Sequence, residues 1–199
     1  MGLLIMIGGL VLFIGTHLLT TRREVRAMLI ARLGEGGYKG LYSAASIVGV
    51  VLIGWGFGTY RATGWVDIWY PPAWTRHITV ALMWIASICV VAAYSPGRIK
   101  TTLKHPMLVG VKVWAFAHLV SNGDLGSIIL FGSILGWAVF DRISLKRRAD
   151  PGGPAIPVGG RRQDIIALIG GTILYLLLGF LFHPLVVGVP AFGTPAWGH

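Results

Sequence analysis

Residues 165–187 have the sequence IIALIGGTILYLLLGFLFHPLVV, which carries no charged side chain and is long enough to cross a bilayer as one helix. Five other stretches carry at most one charge each, and they cover residues 1–21, 40–60, 77–97, 106–122 and 125–140. Only 12% of the 199 residues are charged, against about 25% in a typical soluble domain. The sequence therefore predicts an all-α membrane helix bundle of six spans, forming one domain over residues 1–199.

The composition excludes several classes of protein. Hydrophobic residues make up 55% of the chain, and the mean hydropathy of +0.74 is too high for a soluble, disordered or nucleic-acid-binding domain. The single cysteine, Cys89, excludes an internal disulfide and a cysteine-based zinc site, and it is predicted to be a packing thiol. The lipid bilayer is therefore the expected partner, and nucleic acid is not, despite the net charge of +10.

The basic residues predict the orientation of the spans. All but three of the 17 lysines and arginines lie in the loops 22–39, 98–105 and 141–164. Because cytoplasmic loops are enriched in Lys and Arg, these three loops are predicted to face the cytoplasm. The six spans then alternate in direction, and both termini face outward, to the periplasm if the membrane is a bacterial inner membrane.

The loops carry signals of their own. Residues 22–33 place apolar side chains at helical spacing between arginines, which predicts a short amphipathic helix on the inner leaflet, ended by the glycines within residues 34–37. The sequence SNGD at residues 121–124 predicts a tight turn that joins spans four and five as a helical hairpin. Residues 150–160 are rich in Pro and Gly, which predicts a flexible cytoplasmic connector.

Two further patterns concern the membrane interface and helix packing. The first outer loop is rich in aromatic residues, as is typical of an interfacial belt: Trp65, Trp69, Tyr70 and Trp74. Pairs of glycines four residues apart predict close helix contacts, within the bundle or between subunits, at Gly54 and Gly58 and at Gly132 and Gly136.

The histidines are the main candidates for chemistry: His17, His77, His105, His118, His183 and His199. The first five lie within or at the edge of the predicted spans, where polar groups are expensive. Carboxylates are absent from the spans, and the nearest lie at span ends: Asp124, Asp141 and Asp164. There is thus no buried carboxylate pair, and no Ser-His-Asp set or phosphate-binding glycine loop is recognisable. Because neutral imidazole is a common axial ligand and the porphyrin is apolar, this set favours haem b as the cofactor.

Depth in the membrane restricts which histidines can bind one iron. With a rise of about 1.5 Å per residue, His17 and His105 fall towards the inner leaflet, and His77, His118 and His183 towards the outer leaflet. The nitrogens of two axial ligands are only about 4 Å apart. Depth therefore permits His17 with His105, or His77 with either His118 or His183.

Two lysines accompany the histidines. Lys104 and His105 precede Pro106 at the predicted start of a helix, where unpaired backbone N–H groups favour an anion. Lys112 is the one charge inside a span, and it either extends to the inner interface or contacts an acidic group such as a haem propionate. His118 follows Trp114 by one helical turn, so both side chains are expected on one face, directed into the bundle.

Three segments resemble a known family of membrane proteins. They are GTHL at residues 15–18, KHPMLVG at residues 104–110 and WAFAHLVSNGD at residues 114–124. With these segments the chain resembles the NnrU family over nearly its whole length. The resemblance implies an association with denitrification, that is, with nitrite and nitric oxide reduction.

The family is also similar to the plant zeta-carotene isomerase, a haem b membrane enzyme that isomerises a cis double bond. Four histidines of that isomerase match His17, His77, His105 and His118. The likeness implies that His17 and His77 bind the haem, a pair that the depth argument disfavours, and both possibilities stay open. This chain departs from the isomerase at Lys104, where the isomerase has arginine, and at Lys112, where it is apolar.

Two alternatives come from other functional classes. His105, Pro106 and Gly110 are also similar to membrane methyltransferases that bind S-adenosylmethionine, although the Glu-Glu pair of those enzymes is missing from residues 141–148. A non-enzymatic factor that assists assembly of a respiratory complex is the other alternative, since no catalytic set is complete. A hydrophobic small-molecule substrate, a second copy of the chain or a respiratory complex is the expected partner beyond the bilayer.

Overall fold

The computed structural model describes residues 1–148 and 159–192. Seven α-helices and a terminal π-helical segment follow one another: α1 (Gly2–Leu19), α2 (Arg23–Thr63), α3 (Thr75–Ala92), α4 (Arg98–Leu103), α5 (Pro106–Ser121), α6 (Leu125–Arg147), α7 (Arg161–Leu177) and π1 (Leu178–Val187). The prediction of an all-α chain is confirmed for these residues. The predicted connector at 150–160 lies almost wholly outside the described residues, as does His199.

Within residues 1–148 and 159–192, five helices are long and apolar enough to cross a membrane: α1, α2, α3, α6 and the continuous helix of α7 and π1. The sixth predicted span corresponds to α5, which is apolar but has only 16 residues. At about 1.5 Å per residue, α5 is about 24 Å long, shorter than the roughly 30 Å of a bilayer's hydrocarbon core. A helix therefore lies at each of the six predicted places, and five of these helices have full spanning length.

The second helix has two segments that meet at a kink. The predicted helix over residues 22–33, ended by glycine, is confirmed, because α2 (Arg23–Thr63) leaves helical backbone geometry at Gly34; the second segment begins earlier than the predicted residue 40. Gly34 has φ +72°, a conformation that favours glycine, whereas the other glycines of this region remain helical. Beyond the kink, Glu35 and Lys39 form an exposed i,i+4 ion pair of 2.7 Å. The hydrogen bond from Lys39 lowers the pKa of Glu35.

Contacts divide the chain into two compact units that alternate along the sequence. Unit 1 contains residues 1–70 and 123–148, and unit 2 contains residues 71–122 and 149–199. In unit 1, α1 packs on α2 and α6; in unit 2, α3 packs on α5 and α7. The helices of the predicted hairpin, spans four and five, belong to different units, since α5 packs on α3 and α6 on α1, and the hairpin itself stays a prediction. The SNGD turn allows the chain to pass from one unit to the other.

In unit 1, glycines allow the backbones of α1 and α2 to come into direct contact. A Cβ on Gly9 would lie 2.7 Å from the backbone nitrogen of Ile53, and a Cβ on Gly56 would overlap the backbone of Met6. Small residues at such positions let two helices approach closely within a membrane. The predicted glycine pairs at 54 and 58 and at 132 and 136 make no such contact within the described part of the chain, since nothing lies within 4 Å of where their Cβ atoms would be.

At one end of unit 1, hydrogen bonds through the loop after α2 connect the end of α2 to the start of α6. The hydroxyl of Tyr60, which is 2% exposed, accepts a hydrogen bond of 3.1 Å from the Val66 amide. The Val66 carbonyl in turn accepts 2.9 Å from the amide of Leu125. Asp124 caps α6 by accepting a bond of 2.9 Å from the Ser127 amide. The aromatic side chains of this loop are exposed, as an interfacial belt requires.

In unit 2, α3 is the central helix. A Cβ on Gly110 of α5 would lie 3.0 Å from the Ala86 carbonyl oxygen, and a Cβ on Gly171 of α7 would lie 2.5 Å from the Cα of Ile88. Cys89 is buried at this packed centre, as predicted for a packing thiol. The helix α3 ends at Ala92, earlier than expected, because Pro96 cannot continue a helix.

Candidate functional site

His118 lies in the last turn of α5, and a backbone hydrogen bond fixes its tautomer. Its Nδ1 atom lies 2.8 Å from the carbonyl oxygen of Trp114, one turn earlier. A carbonyl oxygen can only accept, so Nδ1 carries the hydrogen and the lone pair of the neutral ring is on Nε2. Metal-binding histidines are commonly held in this way, with one ring nitrogen donating to a carbonyl and the other available as the ligand.

The predicted pairing of Trp114 and His118 is confirmed by the ring positions. Their centroids are 5.3 Å apart, with planes inclined at 51°. Both side chains therefore lie on one face of α5, as residues one turn apart should. The indole adds an apolar wall beside the imidazole of His118.

His183 lies within π1, at the point where Pro184 interrupts the regular helix. Because proline has no amide hydrogen, it cannot donate to the carbonyl one α-turn earlier, and the helix continues with the wider i→i+5 pattern. The segment ends at Gly188, whose φ is +75°. Short π segments within α-helices occur frequently at functional sites.

The rings of His118 and His183 come together although they are far apart in the sequence. Their centroids are 6.2 Å apart and their planes differ by 26°. Two imidazole nitrogens that bind one iron would be about 4 Å apart, and adding about 1 Å from each nitrogen to its ring centre gives about 6 Å between the ring centres. The separation of the His118 and His183 rings is of this size.

His77 lies at the same end of unit 2. Thr79, one half-turn further along α3, donates a hydrogen bond of 2.9 Å to the carbonyl of Ala117, which places the start of α3 beside the end of α5. Arg76 donates a bond of 2.9 Å to the carbonyl of Pro190, which holds the residues after π1 against the same start of α3. The three histidines that were assigned to the outer leaflet therefore gather at one end of the unit, with the ring of His77 exposed.

The donor set restricts the kind of metal that this end of unit 2 can hold. Among residues 1–148 and 159–192, no group of three or more His, Cys, Asp or Glu side chains is arranged around a common point. A bare zinc ion normally takes three or four protein ligands. A haem supplies four nitrogens of its own, so one or two histidines complete its coordination.

His17 belongs to unit 1, where it lies among aromatic rings. Its Nδ1 donates a hydrogen bond of 2.8 Å to the carbonyl oxygen of Phe13, the same arrangement that His118 has. Its ring centroid is 4.1 Å from Phe13, 5.3 Å from Tyr42 and 5.1 Å from Trp137. The ring of His17 is thus enclosed by residues from all three helices of unit 1.

His105 and Lys104 lie at the opposite end of α5 from His118. Pro106 occupies the first turn of α5, as predicted, and His105 directly precedes it. Along a helix of this length the two ends are about 20 Å apart, so His105 and His118 cannot bind one iron. Lys104 has φ +62°, a strained conformation for a residue with a side chain, and Lys112 is half-buried in the middle of α5.

Comparison of the sequence with models of protein families gives a match. The model of the NnrU protein family matches residues 5–191, nearly the whole chain. The chain belongs to the NnrU family. No curated protein and no solved structure matches this NnrU chain.

One residue of the predicted methyltransferase pattern has a packing role in this NnrU protein. Gly110 is the glycine that lets α5 approach α3, where Ala86 and Cys89 leave no room for a side chain. Its place after His105 and Pro106 is therefore accounted for by helix packing, without a bound S-adenosylmethionine. The other predicted interpretations of these residues stay predictions.

Sequence reasoning missed the pairing of His118 with His183. Depth alone assigned both histidines to the outer leaflet but could not choose between helix faces, and His77 was the expected partner. The chain does contain a signal for how two histidines are held, although not for their partners: Phe13 precedes His17, and Trp114 precedes His118, by one helical turn. In both places the structure has the same hydrogen bond from Nδ1 to the carbonyl of the aromatic residue.

Proposed function

We propose that this NnrU-family protein is an integral membrane protein that binds haem b, which His118 and His183 would hold. The observation that carries the proposal is the 6.2 Å separation of these two imidazoles on separate helical elements of unit 2. The hydrogen bond from His118 to Trp114 supports it, because it makes Nδ1 the donor and fixes the orientation of the ring. Three other histidines remain predicted haem ligands: His17, His77 and His105. Among them His77 is the first alternative, because it lies at the same end of unit 2 as the pair.

The residues around the pair suit an apolar cofactor. Trp114 and Phe182 flank the two imidazoles, with ring centroids 5.3 Å from His118 and 6.5 Å from His183. When bound, haem would supply one-electron chemistry or nitric oxide binding, or an isomerase-like activation of a double bond. The chain itself holds and orients the ligand nitrogens and excludes water with these aromatic side chains.

The proposed setting is a bacterial inner membrane. The six helices α1, α2, α3, α5, α6 and α7 with π1 would each cross it, and both termini would face the periplasm. The distribution of lysines and arginines supports this orientation, because all but three of them lie in the loops assigned to the cytoplasm. The short α5 would cross with its ends in locally thinner membrane or in contact with protein.

The absorbance spectrum of the detergent-purified protein, expressed with added haem precursor, tests the proposal. We expect a Soret band and, after reduction with dithionite, sharp α and β bands of a six-coordinate haem b. His118→Ala and His183→Ala should each abolish or shift these bands, whereas the matched control His105→Ala, at the other end of α5, should leave them unchanged. An unchanged spectrum in both variants, or wild-type protein without haem, would overturn it.

The proposed physiological role is support of nitrite and nitric oxide reduction. In a strain that lacks the protein, we expect nitric oxide to accumulate during growth on nitrite, and wild-type protein but not His118→Ala to reverse this. Full rescue by His118→Ala would favour the assembly-factor alternative, in which the histidine pair has no part. The methyltransferase alternative predicts binding of S-adenosylmethionine, measurable by calorimetry on the same preparation.

A further inference from the structure

The cluster around His17 in unit 1 is built from three helices. Phe13 and His17 come from α1, Tyr42 from α2 and Trp137 from α6, and the imidazole is edge-on to the indole at 78°. Tyr38 extends the cluster by one turn along α2, with its ring centroid 6.2 Å from that of Tyr42. We call these five residues the His17 cluster. Their spacing gives a set of flat aromatic faces around one imidazole.

Polar atoms of this cluster lack hydrogen-bond partners. Among the described residues, the hydroxyl of Tyr38 and the indole nitrogen of Trp137 are buried without one, and so is the hydroxyl of Ser46, one turn after Tyr42 on the same face of α2. Tyr38 is only 7% exposed. A buried polar group without a partner is costly, and native proteins have few of them. A ligand that accepts hydrogen bonds would supply partners for these donors of α2 and α6.

An apolar groove of about 350 Å³ runs along the seam where α1 meets α6. Its lining comes from one face of α1, between Ile7 and Leu18, and from Ile129 and Ser133 of α6. Trp137 of the His17 cluster follows Ser133 of the groove lining by one helical turn of α6, about 6 Å along the helix, although the cluster residues themselves do not line the groove. The groove suits a branched hydrocarbon chain that lies within the membrane.

The hydrogen-bond donors of the His17 cluster restrict the chemical class of ligand that it can bind. The indole N–H and the hydroxyls of Tyr38 and Ser46 are uncharged, so they suit neutral carbonyl oxygens better than a phosphate, which favours Arg or Lys. A cation does approach the cluster at Arg26, but its guanidinium lies 5.7 Å over the ring of Tyr38. A flat carbonyl-bearing head with an apolar tail therefore matches the aromatic faces, the donors and the groove together.

We propose that unit 1 binds an isoprenoid quinone, with its head in the His17 cluster and its tail in the groove between α1 and α6. The head carbonyls accept hydrogen bonds from Trp137 and Tyr38, and the quinone ring packs on Phe13 and Tyr42. This site is separate from the histidine pair of unit 2, and it does not require that haem is bound there.

Equilibrium binding of tritiated ubiquinone-2 to the full-length protein in phosphatidylcholine nanodiscs tests the proposal. We expect saturable binding of one molecule per chain. Trp137→Phe and Tyr38→Phe, which keep the ring and remove one donor, should each weaken binding by between about 3-fold and 10-fold, the size expected for one hydrogen bond. The matched control Trp55→Phe, at an exposed position of α2, should bind as the wild type does.

The thermal midpoint of unfolding provides a second readout that does not depend on binding assays. Without quinone, Tyr38→Phe should unfold at the same or a higher temperature, because it removes an unpartnered buried hydroxyl. With saturating ubiquinone-2, the wild type should gain more stability than the variant. A loss of stability without quinone would indicate that the hydroxyl has a structural partner and would contradict the proposal.

Three results would overturn the proposal, and none of them bears on haem. They are the absence of saturable binding, equal weakening by Trp137→Phe and Trp55→Phe, and displacement of ubiquinone-2 by phosphatidylglycerol in a manner that Arg26→Gln abolishes. The last result would assign the cluster to a lipid headgroup. His118→Ala should leave quinone binding unchanged, so a failure of the haem proposal is recognised separately by the spectrum.

Discussion

Single glycines determine how closely α1 and α2 approach each other. Gly9 and Gly56 lie where a Cβ would meet the backbone of the opposite helix, whereas Gly54, only half a turn from Gly56, has open space around it. The difference depends on which side of α2 faces α1, and a spacing of four residues does not reveal that side. For this reason the sequence pattern selected Gly54 and Gly58, and the packed glycines are two others.

Gly56→Ala should therefore destabilise the protein, and Gly54→Ala should not. We expect the free energy of unfolding to fall by about 1–3 kcal/mol for Gly56→Ala, because the added methyl group forces the two helices apart. Gly54→Ala should be neutral or slightly stabilising, since alanine has the higher helix propensity. Titration with sodium dodecyl sulfate, followed by circular dichroism, measures both. Equal losses in the two variants would contradict the packing described for α1 and α2.

The terminal helix shows how one proline changes an element. Pro184 interrupts the α-helical hydrogen bonds and π1 replaces the last turns, which sets the direction of the His183 side chain. Pro184→Ala restores an amide donor, so the segment should return to the α form and His183 should rotate away from His118. Haem bands should then weaken as they do in His183→Ala, with the helix content unchanged by circular dichroism. The control Pro106→Ala, at the start of α5, should keep its haem bands.

For the secondary-structure elements, the sequence predicts where the helices lie but not which helices pack against each other. Long uncharged runs such as residues 165–187 predict a spanning helix because burial in lipid requires one. The break of α2 at Gly34 was predicted, because glycines after an amphipathic stretch favour the end of a helix, and Gly34 alone takes a positive φ within α2. The hairpin of α5 and α6 stays a prediction, because the two helices belong to different units. The partner of His118 depends on packing between distant segments, which no local pattern encodes.

For the whole molecule, the orientation predicted from the basic loops can be measured directly. Cys89 is the only cysteine, and Cys89→Ala provides a background without thiols. In this background, Ala62→Cys, at an exposed position, should react with a membrane-impermeant maleimide in intact spheroplasts, because the proposed orientation directs the end of α2 outward. Arg32→Cys, before the kink at Gly34, should react only after lysis. The reverse pattern would invert the proposed topology.

The alternation of the two units along the chain has a consequence for synthesis. The ribosome completes α1 and α2 first, but Trp137 and the rest of α6 follow only after α3, α4 and α5 have been made. During that interval the close contact between α1 and α2 at their glycines can already form, while His17 still lacks its contact with Trp137 of α6. About half of unit 2 must therefore be inserted into the membrane before α6 can pack against α1. The His17 cluster is among the last parts of unit 1 to be assembled.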